Sequence, residues 1–384
     1  MSKSLSRKRV LVAMSGGVDS SVAAAILVDQ GYDVVGATMQ VWDYSSCDLQ
    51  GDLQGDLQGD LQEGLGTCCS SLDVDDARSV ADKLGIPFYV LNCEEKFKTT
   101  VVEPFLKAYL EGQTPLPCVN CNTYLKFDHL IRKMNELDCD FLATGHYAQV
   151  RKTSEGQFQI LTSADEWKDQ TYFLFTLDKM ILPHLIFPIG HLTKTQVRSY
   201  ATSKDLTVAK KKDSVGICFV GNKGYDHFIE SQVSSKILKE KCGWIQRFPS
   251  GEFMARHEGI HHYTYGQSKG LGMDHHEKLF VIKIDPKNNT VWVGDEKFLF
   301  TSEVDAIEPH LLDQISDGEI VKVKIRYSGK GAAAKIFKSA QGFHFEFLEP
   351  QRAVTPGQAA VIYRDVNQEG LSLRQLVGGA WISL

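Results

Sequence analysis

Seven residues constrain this chain more than any others: Ser15-Gly16-Gly17-Val18-Asp19-Ser20-Ser21, set between an apolar run and a helix-forming run. Arg9–Ala13 has the make-up of a short buried strand. Ser20–Gln30, rich in Ala and Leu, predicts a helix closed by Gly31 in a left-handed cap. Glycines between a strand and a helix let the backbone approach an anion. The helix N-terminus adds unpaired N–H groups and a favourable dipole. Hydroxyls of Ser15, Ser20 and Ser21 can donate to phosphate oxygens, and Asp19 can orient the loop or hold Mg²⁺. The plainer alternative is a tight turn in which a serine caps the helix. No GxxxxGK[ST] occurs, so the lysine that grasps a γ-phosphate in a Walker A loop is missing. That points away from a motor or kinase and towards chemistry that releases pyrophosphate.

Strand and helix patterns alternate onward. Tyr32–Met39 predicts a strand, Leu72–Leu84 a helix stopped by Gly85 and Pro87, and Phe88–Leu91 a strand. Lys96–Leu110 and Tyr124–Leu137 predict helices, and Phe141–Thr144 a strand. Such alternation implies a parallel sheet with helices on both faces, hence an α/β fold. Asp48–Gly51, Asp52–Gly55 and Asp56–Gly59 each read DLQG, and Asp60–Glu63 reads DLQE. A period of four is too short for a solenoid, and a Gly ending three of the four repeats opposes a helix. This stretch is expected to be a flexible surface insertion at 48–63. Few clear strands are legible over 214–277. From Lys278 onward, Leu279–Ile284, Thr290–Val293, Ile320–Arg326, Ala333–Phe337, Phe343–Phe347 and Ala359–Tyr363 are short β-prone runs. Turn residues separate them, as in a small β-barrel or sandwich.

With 384 residues and 43% hydrophobic content, the chain can build two or three cores. No apolar run reaches the ~18 residues of a membrane span, and Val10–Ala13 is too short for a signal peptide, so a cytoplasmic protein is expected. A net charge of -6 does not suggest a nucleic-acid binder, so any polynucleotide must meet local basic patches. Lys210–Lys212, Lys194 with Arg198, and Lys322, Lys324 and Arg326 are the candidates. Tyr327, beside Arg326, can stack on a base. Nine cysteines, an odd number, argue against a disulfide framework. Cys121 precedes the Tyr124 helix, where a helix dipole favours thiolate. Cys218 follows three lysines and Gly216, which suits a mobile loop. Taken singly, each cysteine is more often a small buried hydrophobe. His146 suits either a nucleotide site or a structural role. His261–His262 and His275–His276 lack a Cys or carboxylate pattern at metal spacing and are read as surface or tRNA-facing residues, not metal ligands.

Taken together, AMSGGVDSS (13–21), TPLPCVNCN (114–122), ATGHY (143–147), KDQTYFL (168–174), KKKDSVGICF (210–219), YTYGQSKGLG (263–272) and TPGQAAVIY (355–363) resemble the bacterial tRNA-specific 2-thiouridylase family. This family lies within the PP-loop ATP pyrophosphatase superfamily. The resemblance spans almost the whole chain in the family's order. It implies a parallel-sheet PP-loop domain (adenine nucleotide alpha hydrolase-like) over 1–213, a small central connecting domain over 214–277 and a C-terminal β-barrel over 278–384. It implies that ATP adenylates the C2 carbonyl of the wobble uridine in tRNAs for Lys, Glu and Gln. A persulfide on Cys218 then supplies sulfur, and Cys121 frees sulfide or resolves the persulfide. ATP binding carries over to Ala13, Met14, Ser15, Gly16, Gly17, Val18, Asp19, Ser20, Met39 and Gly145. Base and tRNA contacts carry over to Leu116, Pro117, Cys118, Lys168, Asp169, Gln170, Arg326 and Tyr327. A cysteine desulfurase or a sulfur-relay protein is the implied donor.

Two positions depart from the family pattern. Many relatives carry Asp where Cys118 stands, and the change creates Cys118-x-x-Cys121. With Cys218 these thiols could hold an iron–sulfur cluster with an open iron; a zinc site is chemically open too. Ser268 replaces the usual Arg, removing a guanidinium beside Lys269. Cys68-Cys69 are expected to be packing or loop thiols. Two other classes stay in view: a PP-loop amide-forming ligase, which needs no paired cysteines, and a non-catalytic RNA-binding protein, which needs no phosphate loop.

Overall fold

The computed structural model describes residues 7–41, 71–213, 216–221, 223–273, 277–368 and 371–383. The DLQG insertion, Cys68-Cys69 and His275–His276 lie outside the described residues. The chain forms two compact units. One comprises Met1–Val101, Cys118–Asn222 and Val366–Leu376; the other comprises Val102–Pro117, Lys223–Asp365 and Val377–Leu384. Among the described residues no helix is long and apolar enough to cross a membrane.

The first unit is built on a five-stranded parallel sheet. Its strands are β1 (Arg9–Ala13), β2 (Asp33–Gln40), β3 (Phe88–Asn92), β4 (Phe141–Thr144) and β7 (Leu185–Ile186), in the order β3-β2-β1-β4-β7. Central β1 is covered on both faces, with Val10, Leu11 and Val12 fully buried, as a parallel strand requires. Helix α1 (Val18–Asp29) buries Val22, Ala23, Ala24 and Ala25. It packs with α2 (Ser71–Leu84) and α7 (Lys194–Ser203). Gly31 takes φ +83° just past α1, the left-handed cap expected from sequence. The hairpin β5 (Ala148–Lys152) and β6 (Phe158–Thr162) extends onto residues 375–376 of the returning chain.

Two helical stretches differ from expectation. The first is α3 (Glu94–Phe97), a π-helical segment (Lys98–Val102) and α4 (Glu103–Leu110) in continuous succession. The second was expected to start at Tyr124. It starts instead with α5 (Pro117–Asn120) and passes through a π-helical segment (Cys121–His129) into α6 (Leu130–Glu136). Pro117 occupies the first helical position, where its fixed φ and missing N–H suit a helix start.

In the second unit, α8 (Tyr225–Gln232) stacks Tyr225 on Tyr109 of α4, ring centroids 4.6 Å apart. A four-stranded sheet follows: β8 (Gly243–Arg247), β9 (Phe253–His257), β10 (Phe280–Asp285) and β11 (Thr290–Gly294), ordered β10-β11-β8-β9. The boundary read at 277/278 therefore falls inside one sheet, because β8 pairs parallel with β11. A closed six-stranded barrel then runs β12 (Phe300–Leu311), β13 (Glu319–Lys324), β14 (Ala332–Lys338), β15 (Gly342–Arg352), β16 (Ala359–Gln368) and β17 (Leu371–Ile382). Its order is β12-β15-β14-β13-β16-β17, and β12 closes on β17. Val304, Val321, Val323, Ile336, Phe345 and Ile362 fill it.

Candidate functional site: a phosphate loop and converging thiols

Ala13, Met39 and Gly145 stand at the carboxyl ends of β1, β2 and β4, where open α/β sheets bind ligands. Met14 N–H donates to Ala37 O at 2.8 Å, fixing the loop to β2. Gly16 has φ +69°, and a Cβ there would lie 2.1 Å from the Asp73 carbonyl oxygen. A Cβ on Gly145 would lie 2.5 Å from Ser20 N, so the end of β4 presses backbone to backbone on the start of α1. No side chain caps α1, which leaves its first N–H groups to an anion. The plainer reading, a serine-capped turn, is thereby corrected.

The serines divide their roles. Ser20 Oγ accepts from Ser15 N–H at 3.1 Å and donates to Gly17 O at 3.2 Å, while Ser15 Oγ lies 3.3 Å away. Ser21 is fully buried and its hydroxyl donates to Gly17 O at 2.8 Å, so it braces the loop and faces no phosphate. This corrects the expectation for Ser21.

A charged lattice surrounds the loop. Asp19 accepts from Tyr147 Oη–H at 2.9 Å and from Lys194 Nζ at 2.8 and 2.9 Å. Lys194, Lys168 and Arg198 each reach Asp213 at 2.7 Å. Burial raises the Asp213 pKa, but Lys168 and Lys194 outweigh it and lower the carboxyl to about 2. Lys211 pairs with Asp73 at 2.6 Å and Asp76 at 2.5 Å and donates to Gly16 O at 3.0 Å. Lys211 thus serves the phosphate loop. Asp73, Asp76, Asp213 and Tyr147 were not singled out from sequence. Asp213 and Tyr147 stand inside quoted motifs, KKKDSVGICF and ATGHY; Asp73 and Asp76 carry no signal beyond acidic residues opening a helix.

Gln170 Oε1 accepts from Tyr147 N–H at 2.9 Å, which joins the KDQ segment to this lattice. Asp169 is buried, and its oxygens accept from Ser163 N–H at 3.0 Å and Thr171 Oγ–H at 2.8 Å. These bonds make it a brace of the KDQ segment. His146 is buried, with Nδ1 2.6 Å from Thr144 Oγ and its ring stacked on Phe127. Burial drives its pKa well below the ordinary 6.5, and Lys126 adds to that. Burial thus favours its uncharged ring.

Cys118 is exposed in the first helical turn, and Cys121 is half-buried one turn later. The dipole argument made for Cys121 therefore applies more strongly to Cys118. Burial raises the Cys93 thiol pKa to about 11; Lys96 opposes this, and a charge on Cys121 adds to it, which puts Cys121 nearby. Phe219, next to Cys218, packs edge-on against Phe97 at 5.5 Å. Cys93 and Phe97 form one turn, linked by Phe97 N–H to Cys93 O at 2.8 Å. The chain at Cys218 and the thiol of Cys121 thus approach the same turn. Among the described residues, Cys118, Cys121 and Cys218 do not form a group with all sulfurs within 4.8 Å. Thiolates around a single zinc would sit about 4 Å apart, so these three are not placed around one ion.

Leu116 and Pro117 lead into the Cys118 helix. Just upstream, Thr114 O accepts from Gln358 Nε2 at 2.8 Å, and Thr114 N–H donates to Pro356 O at 2.9 Å. TPLP and TPGQ, two of the quoted motifs, therefore pack together. Arg326 lines a cavity of about 1070 Å³ with Arg256, Arg352, Tyr225, Tyr263 and Tyr265. Its guanidinium donates to Arg352 O. Tyr327 is exposed, with Lys324 Nζ 5.9 Å from its ring centroid. His261, expected at the surface, is 1% exposed.

A glycine loop at an uncapped helix start, on the carboxyl edge of a parallel sheet, defines a nucleotide-binding α/β protein of the HUP class. The family model described as "tRNA methyl transferase HUP domain" matches residues 8–222. Models described as "tRNA methyl transferase PRC-barrel domain" and "Aminomethyltransferase beta-barrel domain" match 231–295 and 301–382. The tRNA-specific 2-thiouridylase MnmA of Acetivibrio thermocellus is 44% identical, covering 94% of this chain and 97% of that protein. The protein of that name from Geotalea uraniireducens is 40% identical, covering 100% of this chain and 96% of that protein. The chain belongs to the tRNA-specific 2-thiouridylase family.

Proposed function

We propose that the chain is an ATP-dependent tRNA-uridine 2-sulfurtransferase acting in the cytoplasm on the wobble uridine, position 34, of tRNAs for Lys, Glu and Gln. The observation that carries this reading is that one unit holds both the uncapped phosphate loop and the Cys93–Phe97 turn, which is bonded through Cys93 N–H to Gln40 O at the end of β2 and packed by Phe219 beside Cys218. ATP lies along Ala13–Ser20 with Met39 and Gly145 at the strand ends. The uridine C2 oxygen attacks the α-phosphorus and pyrophosphate leaves. This turns a poor leaving oxygen into an adenylate. Cys218, loaded as a persulfide by a cysteine desulfurase or a relay protein, attacks C2 through its terminal sulfur and AMP departs. Cys121 thiolate then attacks Cys218 Sγ. A Cys121–Cys218 disulfide forms, 2-thiouridine is released, and an external thiol reduces the disulfide for the next turnover.

Lys194 and Lys211 are held at the loop by carboxylates, so they are positioned to move onto the polyphosphate as it enters. Mg²⁺ would share Asp19 with Lys194 and would neutralise polyphosphate charge. Lys168, Gln170, Leu116–Cys118, Arg326 and Tyr327 supply the base and tRNA contacts. Cys118, Cys121 and Cys218 are the residues that would hold a cluster, which would supply an open iron for sulfide. The thiol exchange needs none.

The test is the fate of α-labelled ATP with unmodified glutamate tRNA. The reading requires tRNA-dependent AMP and pyrophosphate. ADP as product would overturn it, and AMP formed with a small carboxylate in place of tRNA would favour an amide-forming ligase.

A further inference from the structure

The second unit holds a side-chain cluster that the thiolation scheme does not use. Helix α8 lies beside the short turn Ile260–His262. Asp226 and Glu230, four residues apart, share one face of that helix. Glu230 Oε1 lies 3.3 Å from His262 Nε2 and 3.6 Å from His261 Nε2. One ligand atom from each of the three residues lies within 4.8 Å of the others. Asp226 Oδ2 stands 3.9 Å from His262 Nδ1, on the other side of that ring. Sequence spacing gave no hint of this, because Glu230 and His261 are 31 positions apart and meet only through the fold.

His261 decides what the cluster is for. It is 1% exposed, and neither ring nitrogen has a hydrogen-bond partner. The nearest carboxylate oxygen, at 3.6 Å, is beyond hydrogen-bond reach. Orphaned buried polar groups are rare, and an ion is one of the few things that explains them. Zinc bonds to imidazole nitrogen and carboxylate oxygen at about 2.0–2.2 Å, which sets neighbouring ligand atoms in a tetrahedron about 3.3 Å apart. The Glu230–His262 and Glu230–His261 separations are close to that spacing.

We propose that Glu230, His261 and His262 bind one divalent cation of the zinc type. Asp226 Oδ2, 3.9 Å from His262 Nδ1, is too far for a hydrogen bond but places negative charge on that side of the ring, while Nε2 faces Glu230. Two imidazoles and a carboxylate suit zinc and its transition-metal neighbours rather than Mg²⁺ or Ca²⁺. Glu230 is half-exposed, so the fourth position opens to water. The ion cross-links α8 to the turn that enters Tyr263–Gln267. Asp226 and His262 also line the cavity that holds Arg256, Arg326 and Arg352, so the ion stiffens one wall of it.

The test uses the full chain, stripped with chelator and titrated with Co²⁺, read by visible absorption and by metal content. The expected result is one equivalent per chain with the visible bands of nitrogen and oxygen ligation, and a Tm rise of roughly 5 °C at saturation. Glu230→Gln and His262→Ala should weaken binding at least ~10-fold. Cys118→Ser/Cys121→Ser should keep the equivalent. Glu230 is half-exposed, so Glu230→Gln reads the site even if His261→Ala fails to fold. No binding, binding unchanged in Glu230→Gln, or a near-ultraviolet thiolate-to-cobalt band lost in the double serine variant would each overturn the proposal.

Discussion

Gly145 shows how tightly single residues are specified at this site. A methyl group there meets the backbone of Asp19 and Ser20, and no rotamer change can relieve a contact of 2.5 Å. Gly145→Ala is expected to cost about 1–3 kcal/mol of stability by overpacking. It should also weaken ATP at least ~10-fold, because the displaced atoms are the anion-facing start of α1; calorimetric titration and thermal melts check both. Asp213 gives a pH signature. Its folded pKa, about 2, lies below the ordinary 3.8. Its contribution is therefore fully present above 3.8 and is lost as pH falls through about 2. The urea midpoint of the wild type should drop across that window, and Asp213→Asn should flatten the drop. An unchanged slope in the variant would mean that the lysine lattice does not hold the loop. At this scale the sequence revealed Gly16, whose backbone lies too close to Asp73 for a side chain; Gly145 came from the family resemblance, and a Cβ on Gly17 would meet only Ser15 Oγ at 3.6 Å. The sequence passed over Asp213, because ion-pair partners 19 and 45 positions away in sequence (213 − 194 and 213 − 168) have no local pattern.

Among elements, the helix from Pro117 to Glu136 matters most. Apolar periodicity begins near Tyr124, which is why the start was read there, yet Pro117 is a start signal in its own right. The earlier start places Cys118, not Cys121, in the first turn and puts the two thiols one turn apart on one helix. Thiol exchange requires only that Cys121 and Cys218 meet. Anaerobically purified protein should therefore carry less than one iron per chain. About four irons with matching sulfide would contradict the exchange scheme and assign the three cysteines to a cluster. The strands of the parallel sheet were legible because both faces are buried, which leaves uninterrupted apolar runs such as Val10–Ala13. Strands β8 and β9 were not: Trp244 and Phe253 point outward, Arg256 is exposed, and polar His257 takes a buried position, so apolar and polar residues do not sort by face. Strands β12 and β17 were missed for related reasons, one carrying acidic residues along its outer face and the other Gly378–Gly379.

At the scale of the whole molecule, the α/β unit and the barrel followed from the change of periodicity along the chain. The division between them did not, because β8 reaches past the boundary at 277/278 to pair with β11. Such pairings are set by tertiary packing rather than by local propensity. The return of residues 366–376 to the first unit was equally invisible. Motif order survived all of this. TPLP and TPGQ lie far apart in sequence yet pack together, and the KDQ segment joins the phosphate loop through Tyr147.

The central claim is sulfur transfer to a tRNA uridine, and it is tested most directly on the product. The full chain is incubated with ATP, Mg²⁺, a persulfide donor and unmodified glutamate tRNA. The tRNA is then digested and analysed by mass spectrometry. The account predicts 2-thiouridine that requires ATP, with a loss of at least ~10³-fold in Cys218→Ala, as expected when a covalent nucleophile is removed. Absence of 2-thiouridine with the wild type, or undiminished formation with Cys218→Ala, would contradict it.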